Sequence, residues 1–157
     1  MHPRAAAFAE QAEELGVDVD VHEFPEGTKT AADAAEAVGC NVAQIASSIA
    51  MVADGLVVVV TSGANRVSER RLADLRGVDP DRVRMAEAEA VKDTLGWAIG
   101  GVPPFCHDTD VPVYLDETLR EFETVWAAAG TPRAVFPVDP ERIQTLSDAT
   151  PATVAEE

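Results

Sequence analysis

The sequence lacks most of the features that would place it among secreted, membrane or disulfide-rich proteins. It has only two cysteines in 157 residues, Cys40 and Cys106, so a disulfide framework is not expected and both thiols should be reduced. No apolar run approaches the roughly 18 residues of a membrane span, and the longest, Gly55 to Val60, has the length of a strand. The amino-terminal segment carries acidic residues early and no cleavable hydrophobic stretch, so we predict a cytoplasmic protein.

Aromatic and basic residues are also scarce. Aromatic residues make up 5% of the chain, against 46% for all hydrophobic residues, which predicts an aliphatic core. There are 28 acidic and 12 basic residues, giving a formal net charge of -16. That charge argues against tight nonspecific binding to nucleic acid, which needs a basic surface, and we expect no DNA partner. Because the acids are spread along the chain, they predict a folded, halophilic protein, adapted to salt in which a Debye length of about 3 Å screens self-repulsion.

The hydrophobic periodicity predicts one α/β domain over residues 1–157, with a mixed, mostly antiparallel curved sheet packed by helices. Asp54-Gly55 between two apolar runs indicates a β-hairpin. We expect Pro25 to Lys29 to form a loop and the tail from Asp148 to be frayed. Helices are predicted at 3–15, 30–39, 42–46, 68–75, 87–95, 117–122 and 140–146. Strands are predicted at 17–24, 49–52, 56–61, 111–115, 124–129 and 134–138.

Common catalytic and cofactor motifs are missing. The sequence has no glycine-rich phosphate loop before a helix and no nucleophile elbow. Cys106, His107 and Asp108 are consecutive, and adjacent residues rarely converge on one metal ion. We therefore expect neither a metal nor another cofactor.

The segment Gly100-Gly101-Val102-Pro103-Pro104 has the composition of a rigid binding loop. The two glycines allow a close backbone approach to a ligand, and the two prolines fix the backbone after them. On this composition alone, a tight crossover between a helix and a strand is the simpler interpretation of the segment.

Six segments of the chain resemble, in the same order, segments of the YbaK/EbsC family of aminoacyl-tRNA deacylases, and together they cover about residues 4 to 148. The resemblance implies a fold shared with the editing insertion of bacterial prolyl-tRNA synthetases, acting here in trans. The segments are TAADAAEAVGC (30–40), QIASSIAM (44–51), TSGANRVSERRLA (61–73), GWAIGGVPP (96–104), YLDETL (114–119) and VWAAAGTPRAVF (125–136).

The resemblance implies hydrolysis of the ester that joins a small amino acid to the terminal ribose of a mischarged tRNA. The backbone of Gly100 and Gly101 would stabilise the carbonyl oxygen, and water or the substrate's own side chain would attack. Family members often carry a lysine on the active-site strand, where this chain has Ser47. We count Ser47 among the catalytic candidates because its hydroxyl can orient a water molecule. The expected substrate-binding residues are Val102, Pro103, Ser48, Thr30 and His107.

The expected partner is the acceptor end of a charged tRNA, and a synthetase is a second candidate. Arg66, Arg70 and Arg71 form the densest basic cluster, and arginine suits phosphate binding. The alternative for this cluster is a helix face salt-bridged to Glu69 and Asp74. Since the lysine is replaced by Ser47, the alternative function is a non-catalytic binding module for an aminoacyl or nucleotide-like ligand, or a regulator that docks to a synthetase.

Overall fold

The two apolar runs on either side of Asp54 and Gly55 form the predicted hairpin in the computed structural model, which describes residues 1–24 and 30–156. Val52 pairs with Leu56, so Ala53, Asp54 and Gly55 form a three-residue loop, in which φ is positive at Asp54 (59°) and Gly55 (95°). The first strand is longer than predicted and begins at Ile45. The predicted helical turn at 42–46 is a short 3-10 turn, Val42–Gln44, followed directly by this strand.

The described residues contain five helices and eight strands. The helices are α1 (Pro3–Glu14), α2 (Ala31–Val38), α3 (Glu69–Arg76), α4 (Ala88–Leu95) and α5 (Pro140–Ser147). The strands are β1 (His22–Glu23), β2 (Ile45–Val52), β3 (Leu56–Ser62), β4 (Arg84–Met85), β5 (Val113–Asp116), β6 (Val125–Ala128), β7 (Ala134–Val138) and β8 (Thr150–Ala152). The short helix predicted at 117–122 is a 3-10 helix, Glu117–Glu121, which follows β5 directly. No helix in these parts of the chain is long and apolar enough to cross a membrane.

All eight strands belong to one sheet, in the order β1-β7-β6-β2-β3-β5-β8, with β4 also paired to β2. Antiparallel pairs join β1 to β7, β7 to β6, β2 to β3 and β2 to β4. Parallel pairs join β6 to β2, β3 to β5 and β5 to β8. The predicted mixed, mostly antiparallel sheet packed by helices is therefore confirmed.

Two predicted elements at the ends of the chain are wrong. Only His22–Glu23 forms a strand within the predicted range 17–24, because the chain runs beside β7 only there; the earlier valines pack on the core without a strand partner. The tail after Asp148 is not frayed. It adds strand β8 parallel to β5, and Val154 beyond it is fully buried. The predicted loop Pro25 to Lys29 lies outside the described residues.

The sheet separates two main clusters of buried side chains. The buried residues are mainly aliphatic, as predicted, and the larger cluster also contains four of the few aromatic residues. Phe8 of α1 contacts the other three rings, with ring centroids 4.9 Å from Phe136 and 5.5 Å from Phe105. Trp97 contacts Phe8 edge to face at 6.1 Å. These rings hold the segment after α4 against α1 and β7, which fixes the place of the glycine-proline loop.

Candidate active site

Strand β2 has two edges with different partners. Along one edge it pairs with β3 over residues 46–52. On the other edge it pairs with β6 only at 45–46 and with β4 only at 51–52. Within the described part of the chain, no strand pairs with 47–49 on this second edge, so the sheet is open there.

A pocket of about 310 Å³ lies at this opening. Residues 45–50 of β2 line it, together with Thr30 and the start of α2, residues of β4, β6 and β7, three residues of the 99–102 loop and the turn after β6. None of the described lining residues is ionisable, and six of them are alanines. The alanines are Ala31, Ala34, Ala46, Ala50, Ala128 and Ala134. The pocket therefore suits a small, uncharged group.

The two serines of β2 line this pocket from opposite faces of the strand. Alternation along β2 places Ser47 on the same face as Ile45, which packs with α2. Ser48 lies on the other face, with Ala46 and Ala50 of the larger core. The Ser48 Oγ is buried, and it is the only buried side-chain polar atom of the described residues that has no hydrogen-bond partner.

The structure separates the roles of the two loop glycines. Gly100 lines the pocket and has a φ of +87°, which favours glycine. Gly101 does not line it, and its amide already donates to the Ala98 carbonyl at 3.0 Å. A Cβ at Gly101 would lie 2.7 Å from the Thr131 Cα, so glycine is needed there for close backbone packing. Among the described residues, the amides of Gly100 and Val102 have no acceptor, and both residues line the pocket.

Two predicted substrate-binding residues, Pro103 and His107, support the loop from outside the pocket. The His107 Nε2 and the Pro103 carbonyl are hydrogen-bonded at 2.8 Å. Burial lowers the pKa of His107, although this bond and Asp110 oppose the shift, so the ring is neutral near pH 7. Neither residue lines the pocket. Thr30 does line it, and the Thr30 Oγ1 also caps α2 by accepting from the Asp33 amide at 3.1 Å.

Cys106 completes the support of the loop. Its carbonyl accepts a hydrogen bond from the Trp97 indole at 2.8 Å, in a backbone with a φ of 66°. Burial, with a smaller contribution from Glu14, raises the pKa of the Cys106 thiol to about 11. The thiol is therefore protonated at neutral pH and unsuited to nucleophilic attack.

The predicted tRNA-binding arginines lie elsewhere. Arg66, Arg70 and Arg71 belong to α3 and the turn before it, and none of them lines the pocket. Helix α3 packs in the smaller core with residues of β3 and β5, on the far side of β2 from β6. Arg66 and Arg70 are exposed and form no ion pair within the described residues, so the alternative of a salt-bridged face is not seen for these two.

Asp116 is a buried carboxylate that the sequence analysis missed. It lies on the β3 side of β2, which we call the closed side of the site. The Asp116 Oδ2 accepts from the Asn65 Nδ2 at 3.0 Å, the Ser62 amide at 3.1 Å and the Thr61 hydroxyl at 3.2 Å. Its Oδ1 accepts from the Thr118 amide at 3.0 Å. Burial acts to raise the pKa of Asp116, but these hydrogen bonds outweigh it and hold the pKa below 3.8.

This network positions β2 indirectly. The Ser62 hydroxyl donates at 2.7 Å to the carbonyl of Ala43, in the 3-10 turn that leads into β2. Asn65 and Asp116 belong to two of the segments that carry the family resemblance, TSGANRVSERRLA and YLDETL. That resemblance was the signal that could have revealed them. The described residues contain no group of three or more His, Cys, Asp or Glu side chains placed to hold a metal ion.

Comparisons with known proteins agree with this geometry. The family model of the aminoacyl-tRNA editing domain matches residues 25–146 of the sequence. YwhH of Bacillus subtilis (strain 168), an uncharacterized protein, is 30% identical over 130 residues, covering 82% of this chain and 81% of YwhH.

Two solved structures are similar over nearly the whole chain. One, described as a proposed trans-editing enzyme for prolyl tRNA synthetase, is 39% identical with a TM-score of 0.93, covering 100% of this chain and 99% of that one. The hypothetical protein APE2540 is 25% identical with a TM-score of 0.83, with 94% and 97% covered. The chain therefore belongs to the aminoacyl-tRNA editing domain family, as its resemblance to the YbaK/EbsC proteins predicted.

Proposed function

We propose that the protein hydrolyses the ester between a small, uncharged amino acid and the terminal ribose of a mischarged tRNA. The observation that carries this proposal is the pocket itself, whose described lining has six alanines and no ionisable side chain. Such a lining accepts a short side chain and disfavours a charged one, because an unpaired charge loses its hydration there. The family, whose domain edits aminoacyl-tRNA, supplies the reaction class.

The chemistry rests on the backbone of the loop and on Ser47. The free amides of Gly100 and Val102 are the donors that we assign to the carbonyl oxygen as it becomes an oxyanion. Ser47 orients the attacking water. Water adds to the carbonyl carbon, the bond to the ribose oxygen breaks, and the proton lost by the water ends on that oxygen. Gly101 supports the loop against Thr131 and does not bind the oxyanion.

The comparisons support a proposal for the partners. The structure that is 39% identical over the full chain is described as acting in trans for prolyl tRNA synthetase. We therefore propose that this protein also acts in trans, on tRNA to which a synthetase has attached too small an amino acid. The exposed Arg66 and Arg70 remain candidates for tRNA phosphates outside the pocket.

One observation favours a second candidate, a non-catalytic binding module. The family resemblance implies a lysine at the position of Ser47, and no described lining residue can act as a general base. The same pocket would then hold an aminoacyl group without hydrolysing its ester.

Deacylation of a panel of tRNAs charged with Ala, Ser, Thr or Cys, measured in molar KCl, separates these candidates. We expect hydrolysis of one or two members and a slower reaction for Ser47→Ala. Circular dichroism of each sample shows that it is folded. If a folded wild-type sample gave no hydrolysis above background while Ser47→Lys did, the natural protein would be a binding module that has lost the reaction.

A further inference from the structure

The mouth of the pocket carries two apolar side chains that the fold leaves exposed. The large hydrophobic residues exposed within the described chain are Met1, Leu15, Leu75, Met85 and Ile99. Of these, only Met85 and Ile99 line the pocket, at 57% and 50% exposure. Met85 comes from β4 and Ile99 from the loop, so two separate elements contribute to one apolar rim. Exposed apolar side chains that share the mouth of a pocket indicate a binding surface.

The position of this rim relative to the reacting atoms suggests what it binds. Ile99 directly precedes Gly100, and Met85 pairs with Met51 at the end of the open edge of β2. This step rests on the proposed function, in which the ester carbonyl lies at Gly100. The ribose is bonded to that ester and carries the terminal base. The base must therefore lie within one sugar of the carbonyl, which places it near Ile99.

Charge selects the kind of group that can bind at the mouth. The chain has a net charge of -16, and the described lining has no cation that would hold a phosphate. A neutral heterocycle carries no charge for the negative surface to repel, and it covers the two side chains from water. Methionine sulfur also makes favourable contacts with aromatic rings. We propose that Met85 and Ile99 bind the adenine of the terminal adenosine of the tRNA.

The test compares substrates with and without the base. One is the aminoacyl-tRNA that the panel identifies, and the other is the 2-hydroxyethyl ester of the same amino acid. In Met85→Gln/Ile99→Thr we expect the ratio of the two kcat/KM values, tRNA over simple ester, to fall about tenfold, near the lower end of what base stacking contributes. Leu75→Gln is the matched control, because Leu75 is 42% exposed on α3 and does not line the pocket. Equal losses on both substrates, or no loss on either, would overturn the proposal.

Direct binding decides the point even if no ester is hydrolysed. The probe is 3′-deoxy-3′-alanylamino-adenosine, a stable amide analogue, with its dissociation constant measured by calorimetry. We expect about tenfold weaker binding to the double variant than to Leu75→Gln. If the wild type hydrolysed neither substrate but bound the analogue through Met85 and Ile99, the proposed reaction would fail and this inference would stand. A dimer that the double variant dissociates, with unchanged binding of the analogue, would show that a second copy of the chain covers the rim.

Discussion

The two edges of strand β2 show how one strand can serve both stability and binding. The edge toward β3 is paired over residues 46–52, and Asp116 accepts two hydrogen bonds from the end of β3, one from the turn after it and one from Thr118. The opposite edge has no strand partner at 47–49 and borders the pocket. Buried polar groups are satisfied on the first side, whereas the Ser48 Oγ on the second has no partner. The closed edge therefore holds the strand in place, while the open edge keeps its groups available to a ligand.

Removing the carboxylate from the closed side should have the largest effect. Asp116→Ala leaves the buried Thr61 and Ser62 donors and the half-buried Asn65 donor without this acceptor, and we expect a loss of about 3 kcal/mol in the free energy of unfolding. Urea denaturation in molar KCl measures it. Asp93→Ala, at an exposed position of α4, should change the stability little. A loss for Asp116→Ala no larger than that of Asp93→Ala would show that the closed side does not depend on this network.

The same carboxylate should also affect how the stability of the fold depends on pH. The pKa of Asp116 is lower in the folded state than its ordinary value of 3.8. A group of this kind stabilises the fold fully above its unfolded pKa, and the contribution is lost as the pH falls through the folded pKa. Asp116→Asn should therefore reduce the loss of stability below pH 3.8, measured by denaturation across a pH series. An unchanged pH dependence would mean that other carboxylates account for the acid sensitivity.

On the open side, Gly101→Ala should have the next largest effect. The added Cβ would meet the Thr131 backbone at 2.7 to 3.0 Å, and overpacking of this kind costs about 2 kcal/mol. The displaced loop should also slow the hydrolysis of every ester tested. Gly77→Ala is the control, because its Cβ meets no atom within 4 Å and it lies far from the loop in sequence. We expect it to lower stability through its φ of +70° without changing the rate per folded molecule.

Salt should stabilise the molecule as a whole without distinguishing the two edges. With a net charge of -16, screening in molar KCl is expected to raise the melting temperature by about 4 °C, or roughly 1 to 2 kcal/mol for a chain of this size. Asp116→Ala should gain the same amount, because its defect is local. A melting temperature that does not rise between dilute buffer and molar KCl would contradict the predicted adaptation to salt.

Local signals in the sequence predicted most of the fold. Asp54-Gly55 indicated the hairpin, and the predicted helices at 30–39 and 68–75 begin at Thr30 and Ser68, whose hydroxyls cap α2 and α3 by accepting a backbone amide. The carboxyl-terminal segment had no comparable signal. Three residues with a proline among them do not predict a strand, and Thr150–Ala152 becomes one only because β5 offers it an unpaired edge. Such a partnership depends on the tertiary fold.

The family resemblance predicted part of the candidate site. The resemblance placed Ser47, Gly100 and Val102 in one pocket, and the structure brings them together. It could not separate Gly100 from Gly101, because this depends on which amide the Ala98 carbonyl accepts and on the approach of Thr131. It also could not exclude Pro103 and His107 from the lining, since their hydrogen bond to each other forms only in the folded loop.

The smallest effect, and the closest comparison of the two edges, comes from two serines. The Ser62 Oγ on the closed side donates to the Ala43 carbonyl at 2.7 Å, so Ser62→Ala should cost about 1 kcal/mol in the free energy of unfolding. Ser48→Ala removes a buried hydroxyl that has no partner, and we expect the free energy of unfolding to stay level or rise by up to about 1 kcal/mol.

If Ser48 contributes to substrate binding, the same Ser48→Ala change should raise KM for the aminoacyl-tRNA even though the fold is no less stable. That outcome is expected because rotation about the Cα–Cβ bond of Ser48 moves a hydroxyl that already borders the pocket. Urea denaturation and deacylation kinetics on the same sample measure both quantities. A loss of stability in Ser48→Ala equal to that in Ser62→Ala would show that the two edges are satisfied alike, and the contrast between them would no longer hold.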